Sequence, residues 1–287
     1  MKIIDILKER EKGVSFEFFP PKNEVGKESL INTLEALKDF KPLYVSMTCG
    51  AGGATQKRTQ EAVRLLLKTK DLVVMPHLTC IDINESGLKG ILDEYKNCGV
   101  ENIMALRGDP PQGEVDFDFR KQKFFCARDL VRVINKENFF CIGVAVYPEG
   151  HIETSSLQED LEYTKEKIAA GADFAVTQMF FDNVYYYKLL ERMKKGNIGI
   201  PVLPGILPLT NLKKVRQFAS ICRATIPKTI QETMDRFSQS PEDQKKAGIE
   251  FTIKQCRDLI KNGANQLHFF TLNKPEIMRT ILDALPI

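Results

Sequence analysis

Val14-Ser15-Phe16-Glu17-Phe18-Phe19, followed at once by Pro20-Pro21, is the stretch on which the fold of this chain turns. It is short, apolar and aromatic, it stops at a proline pair that cannot continue a strand, and a single carboxylate interrupts it. With a period of 2, Val14, Phe16 and Phe18 fall on one face and Ser15, Glu17 and Phe19 on the other. A carboxylate is costly to bury without partners or a task, so Glu17 is expected to face something polar. Taken alone, it would be an ordinary edge-strand glutamate in water.

Working outward, seven similar runs follow. The strand candidates are 14–19, 43–48, 72–79, 102–107, 140–147, 174–180, 201–206 and 266–271. Between them apolar residues recur three or four apart, as in Leu88/Ile91/Leu92/Tyr95, Leu157/Leu161/Thr164/Ile168 and Ile249/Ile253/Cys256/Ile260, the spacing of amphipathic helices. Gly99, Gly171, Gly196 and Gly263 follow four such helices, where a left-handed residue ends a helix at least cost. Eight strands alternating with helices in 287 residues is the arithmetic of the α/β class and of a (β/α)8 TIM barrel. A doubly wound sheet would use fewer strands and show a glycine-rich phosphate turn after the first. The longest gap, between strands seven and eight, reads as an extra helical insertion, a helix from Ile226 to Phe237 and a polar turn at Ser238–Gln244. No Pro/Gly/Ser-rich linker divides the chain, so residues 1–287 are expected to form a single barrel domain.

Composition narrows the function classes. A chain with 43% hydrophobic and 28% charged residues is globular, and a net charge of +3 with signs well mixed offers no basic stripe for nucleic acid. The start, Met1 to Arg10, has one short apolar patch broken by Asp5, which is neither a signal peptide nor a membrane span. A cytoplasmic location is therefore expected. The seven cysteines form no Cys-x-x-Cys pair, which suits reduced thiols and shows no zinc or iron–sulfur framework. His77-Leu78-Thr79-Cys80 has ligand-like spacing but lacks two further matched ligands, so no metal is expected.

A barrel should carry its chemistry at the C-terminal ends of its strands. Those ends hold Glu17, Thr48, His77 with Thr79, Arg107-Gly108-Asp109, Tyr147-Pro148-Glu149, Gln178, and His268 with Thr271. A chance scatter of polar residues would not favour these positions, which strengthens a functional reading of Glu17.

Six runs in register, Ser15-Phe16-Glu17-Phe18-Phe19-Pro20-Pro21, Pro76-His77-Leu78-Thr79-Cys80, Ala105-Leu106-Arg107-Gly108-Asp109, Tyr147-Pro148-Glu149, Thr177-Gln178-Met179-Phe180-Phe181-Asp182 and Pro204-Gly205-Ile206-Leu207-Pro208, closely resemble methylenetetrahydrofolate reductase. The resemblance runs from about residue 14 to Asn273. It implies an FAD at the barrel mouth that carries a hydride from NADH or NADPH to 5,10-methylenetetrahydrofolate, both substrates using one site in turn, in one-carbon metabolism and methionine biosynthesis. It further implies that Thr48, His77, Arg107, Gly108, Asp109, Tyr147, His151, Asp160 and Lys167 touch the flavin, its phosphates or its ribose. Read singly, His77 is also a plausible core histidine, and Asp160 and Lys167 are plausible solvated helix charges.

Opening the folate imidazolidine ring needs a proton on the departing amine nitrogen, and Glu17 is the expected general acid, kept protonated by burial beside Phe16 and Phe18. Asp109 is the second catalytic carboxylate, an anion that hydrogen-bonds the pterin and disfavours excess charge on the reduced flavin. Gln178 is expected on the pterin edge. Phe218 resembles the family's stacking residue for folate and nicotinamide, although its spacing from Val215 and Cys222 also suits the core.

The sequence departs from the family pattern at Cys126, where a flavin-packing tyrosine is usual, and at Tyr163 and Glu166, where Asn and a basic residue are expected towards the diphosphate. FMN or a rearranged FAD stays open on that account. The chain ends soon after strand eight, so the regulatory domain of eukaryotic relatives is expected to be absent. A homo-oligomer is expected, and an iron–sulfur partner protein as electron donor stays open. A metal-dependent lyase or hydrolase using Glu17, His77, Asp109 and His268 is the reading from another class. No dinucleotide fingerprint separates NADH from NADPH.

Overall fold

A computed structural model describes residues 1–50, 53–111, 113 and 117–287. Its centre is a nearly closed barrel of parallel strands: β1 (Gly13–Phe18), β2 (Val45–Met47), β3 (Val74–Thr79), β4 (Asn102–Leu106), β5 (Cys141–Val146), β6 (Phe174–Thr177), β7 (Val202–Leu203), β8 (Gly205–Ile206) and β9 (Gln266–Phe270). The strand order is β7-β6-β5-β4-β3-β2-β1-β9-β8. The helices are α1 (Ile3–Glu9), α2 (Glu24–Leu37), α3 (Gly53–Leu66), α4 (Glu85–Asn97), α5 (Ala127–Asn135), α6 (Leu157–Ala169), α7 (Asn183–Lys195), α8 (Leu212–Cys222), α9 (Lys228–Arg236), α10 (Pro241–Lys261) and α11 (Pro275–Leu282). No described helix is long and apolar enough to cross a membrane.

The expected seventh strand, 201–206, is in fact two short ones. β7 pairs with β6, β8 pairs with β9, and Pro204 stands between them. Proline has no N–H to give to a ladder, so the strand changes partner there and the sheet ends meet through the chain itself. Gly205 donates its N–H to the Thr177 hydroxyl at 2.8 Å in place of a backbone partner. A Cβ on Gly205 would stand 2.2 Å from the Thr177 carbonyl oxygen, so only glycine fits the seam.

Alternation along the strands sorts two apolar layers. Phe16, Phe18, Val45, Leu78, Ala105 and Val144 pack outward against the helices. Inside, Tyr44, Met75, Met104 and Phe174 fill the N-terminal half of the barrel, and α1 seals it with Ile3, Ile6 and Leu7. The plug is pinned by buried Asn102, whose side chain accepts from Ile3 N–H at 2.7 Å and donates to the Met1 carbonyl at 3.0 Å. Fully burying an apolar side chain such as Ile3 contributes about 1.5–3 kcal/mol.

Two local expectations need correction. The polar turn is shorter than read, because Pro241 opens α10 and 241–244 are helical, with Pro at the first turn where its missing N–H is harmless. Gly196 has φ −80, and Asn197, at φ 59, takes the left-handed position after α7; Asn tolerates that region because its side chain can bond locally.

Candidate active site

Glu17 projects from β1 into the barrel, as its parity requires. Its Oε2 lies 3.3 Å from His77 Nε2 on β3 and 3.4 Å from His268 Nε2 on β9. Burial pushes the carboxyl up, but the two imidazoles together outweigh it and hold Glu17 at about 2. This corrects the expectation of a protonated acid in an aromatic setting. Phe16 and Phe18 lie on the opposite face of β1, in the helix layer, so they do not desolvate the carboxylate. Its neighbours arrive from other strands and turn imidazole nitrogens towards it.

His268 belongs to a buried polar column. Its Nδ1 is 2.8 Å from Ser15 Oγ and 3.3 Å from the Tyr44 hydroxyl, and its ring stacks on Tyr44 with centroids 5.6 Å apart and planes at 19°. The parallel register that pairs Ser15 with His268 places both inside the barrel. Burial pushes the Tyr44 hydroxyl well above its ordinary range, so it stays protonated and can serve as a donor. Such connected networks in a low dielectric hold their members rigidly. His77 differs: its buried Nε2 faces Glu17 at 3.3 Å without an aligned hydrogen bond, so its contact with the carboxylate is looser than the His268 column.

Above Glu17 opens a cavity of about 820 Å³, walled by Thr48, His77, Asp109, Gln178 and Phe218. Asp109 is exposed at the end of β4. Gln178 Oε1 accepts from Met179 N–H at 2.9 Å, and its amide nitrogen has no protein partner among the described residues. Phe218 is 39% exposed, while α8 buries Leu212, Val215 and Ala219, so the core alternative for Phe218 is set aside.

A second cavity, of about 490 Å³, adjoins the first through Leu106 and Ala145 and runs out between α5 and α6. It gathers Arg107, Tyr147, His151, Asp160 and Lys167. Lys167 Nζ donates to the Ala145 carbonyl at 2.6 Å, has no carboxylate within ion-pair distance among the described residues, and is brought down to about 8 by burial. Asp160 accepts from His151 N–H at 2.9 Å, and burial pushes its carboxyl up. Gly108, between the cavities, has φ +88, and a Cβ there would stand 2.9 Å from Thr79 Cβ. The backbone can run this close to the β3 end only as glycine.

Several residues here lay outside the sequence reading. Arg107 donates through Nη1 and Nη2 to the two carboxylate oxygens of Glu153, and its guanidinium sits 3.9 Å from the Phe119 ring centre. At the outer end Cys126, Tyr163 and Glu166 line the wall, and Arg128 of α5 pairs with Glu166 at 2.8 Å. Arg128 is thus a cation at this wall already matched by two carboxylates, Asp129 and Glu166. The only signal for it was its position within Ala127-Arg128-Asp129, too common a pattern to single out. Among the described residues no group of three His, Cys, Asp or Glu side chains is placed to hold a metal ion.

Comparison with known proteins identifies the family. A sequence model of the family described as methylenetetrahydrofolate reductase matches residues 2–286. The 5,10-methylenetetrahydrofolate reductase of Escherichia coli (strain K12) is 36% identical over 272 residues, covering 95% of this chain and 90% of the relative. Methylenetetrahydrofolate reductase (NADH) 1 of Arabidopsis thaliana is 35% identical over 288 residues, covering 95% of this chain and 49% of that protein. The chain therefore spans about half the length of the plant relative. A Clostridium thermocellum protein that binds two copies of 5-methyl-5,6,7,8-tetrahydrofolic acid superposes with a TM-score of 0.66 at 12% identity, covering 98% of this chain and 96% of that one, a likeness of fold. With a match that runs almost from end to end and relatives above a third identical, the chain belongs to the methylenetetrahydrofolate reductase family.

Proposed function

We propose that this barrel reduces 5,10-methylenetetrahydrofolate to 5-methyltetrahydrofolate with a flavin, FAD foremost, and NADH or NADPH as hydride source, both substrates entering one mouth in turn. The observation that carries the reading is Glu17 between His77 and His268, on the floor of a cavity whose walls present Asp109, Gln178 and the exposed Phe218 ring. The residues suit a flavin. Lys167 is a cation in a cavity wall that donates to the Ala145 carbonyl and lies 6.0 Å from the Tyr147 ring centre, with no carboxylate in ion-pair reach among the described residues, so a phosphate tail would satisfy it, while His77 borders the space for a planar ring. When bound, the flavin accepts and returns a hydride.

The protein's own part is placement and proton handling. Phe218 offers a face for stacking, Gln178 both halves of an amide to the pterin edge, and Asp109 an acceptor. Lys167 would hold a phosphate of the bound flavin, Arg107, oriented by Glu153, would line the same stretch, and Gly108 would let the backbone approach the ring. Glu17 is ionised in the open site; substrate that covers the mouth and removes water raises its proton affinity, and the proton it takes up from solvent then passes to the departing amine nitrogen. A cytoplasmic homo-oligomer acting on the route to methionine completes the proposal.

The visible spectrum of the purified protein tests it first: a flavin should be present, NADH or NADPH should bleach it without oxygen, and methylenetetrahydrofolate, or menadione as surrogate, should restore it. A colourless protein would sink the reading. Bleaching that fails with nicotinamides, alongside reoxidation of chemically reduced protein by the folate, would favour an iron–sulfur partner as donor.

A further inference from the structure

The cations around the mouth are matched very unequally. Arg107 is paired with Glu153, Arg128 with Asp129 and Glu166, and Arg64 of α3 with Glu94 at 2.6 Å. Arg58, on the same helix as Arg64, lines the central cavity and has no carboxylate within 4.0 Å among the described residues. Its Nη2 donates to Thr55 Oγ1 at 3.3 Å, and its Nε is shut off from solvent without an acceptor. Lys22, just after Pro20-Pro21, lines the same cavity and is equally without an ion-pair partner among the described residues. A guanidinium presents five N–H donors, and leaving them desolvated and unmatched is unfavourable. Cations held this way in a cavity wall are completed by an anion from outside.

Lys167, the cation of the second cavity, lies on α6 against β5, whereas Arg58 and Lys22 flank β2 and β1, three and four strands away in the strand order. We propose that Arg58, seconded by Lys22, binds the phosphate or carboxylate end of a visiting substrate, either the diphosphate of the nicotinamide dinucleotide or the glutamate carboxylates of the folate. This rests on the function proposed above. Arg58 is then a binding residue that sets occupancy and leaves the rate of the bound complex alone.

The test uses holoenzyme with Arg58→Gln, Arg58→Lys and Lys22→Gln, following each half-reaction separately by stopped flow. Arg58→Gln should raise the apparent Kd in at least one half-reaction by roughly ten- to a hundredfold, with the limiting rate and flavin content unchanged. Arg58→Lys should recover part of the loss, Lys22→Gln should weaken the same arm less, and added salt should narrow the gap to wild type. An effect in the nicotinamide arm identifies the diphosphate, and one in the folate arm the carboxylates. Wild-type Kd values in both arms would overturn the proposal, as would loss of flavin from Arg58→Gln, which would make Arg58 a cofactor ligand. Inorganic pyrophosphate, titrated into wild type and Arg58→Gln, reads the anion site without turnover. If wild type carries out neither half-reaction, the functional reading fails, while equal pyrophosphate binding by the two proteins overturns the assignment of Arg58 itself.

Discussion

At one end of the barrel the inward side chains include Tyr44, Met75 and Phe174, covered by Ile3, Ile6 and Leu7 of α1; at the other, two to four residues further along the same strands, they are Thr48, His77 and Gln178, open to a cavity. Two residues of strand advance the chain by only about 6.6 Å, so apolar plug and polar mouth are separated by a single layer of side chains. The layer between holds Ser15 and His268, polar but hydrogen-bonded. Stability and chemistry are therefore stacked along one axis and should respond to different substitutions.

Glu17→Gln should break the mouth and spare the plug. Loss of a positioned general acid costs about 10²- to 10⁴-fold, or roughly 3–5 kcal/mol of barrier, in the folate half-reaction. Flavin content and nicotinamide oxidation should survive, since neither needs that proton. Equal loss in both half-reactions would reduce Glu17 to a binding or structural residue. Ile3→Ala is the converse: removing a fully buried side chain from the plug should cost about 2–4 kcal/mol in unfolding free energy, with both half-reactions intact below the melting temperature. A kinetic defect in the folded variant would show that the two ends are coupled.

Acid sharpens the same contrast. Glu17 is held at about 2, below its ordinary 4.5, so its contribution to stability is present above 4.5 and is lost as pH falls through 4.5 towards 2. Wild type should lose on the order of 1–3 kcal/mol in that window beyond what Glu17→Gln loses, measured by denaturant unfolding against pH. Identical pH profiles would mean that the histidines do not stabilise the carboxylate. Lys167 has the opposite sign. Lowered to about 8 from 10.5, its burial as a cation weakens the ligand-free protein below pH 8, and stability should recover as pH rises from 8 towards 10.5. Lys167→Met should raise the melting temperature of flavin-free protein at neutral pH and weaken flavin binding about tenfold or more, read by flavin fluorescence. Tight flavin binding by the variant would remove Lys167 from the cofactor site.

Phe218→Ala should have the smallest effect. Stacking beyond area burial is worth about 1 kcal/mol, so nicotinamide and folate use should fall together by about tenfold at most. Because Phe218 is 39% exposed, the melting temperature should hardly move. A large drop with unchanged kinetics would return it to the core.

What the sequence by itself determined is what repeats over short distances. A period of 2 identified the strands and put Glu17 on the inner face of β1, and spacings of three and four identified the helices, because side-chain direction in regular structure follows from the backbone alone. The six motifs pointed to one barrel mouth, since strand ends in a parallel barrel converge there, and their residues line both cavities that open from it. Tertiary structure alone decided the rest. The split of the seventh strand depends on which neighbours Val202 and Gly205 find, and the seal on the barrel on where α1 docks. The charge of Glu17 depends on His77 and on His268, the latter 251 residues away, and no local pattern reports that they arrive at 3.3 and 3.4 Å. Whether Phe218 meets the core or the cavity turns on the roll of α8 against the barrel. Faces of elements are local properties, whereas ionisation, exposure and closure are set through space by residues that only the fold brings together.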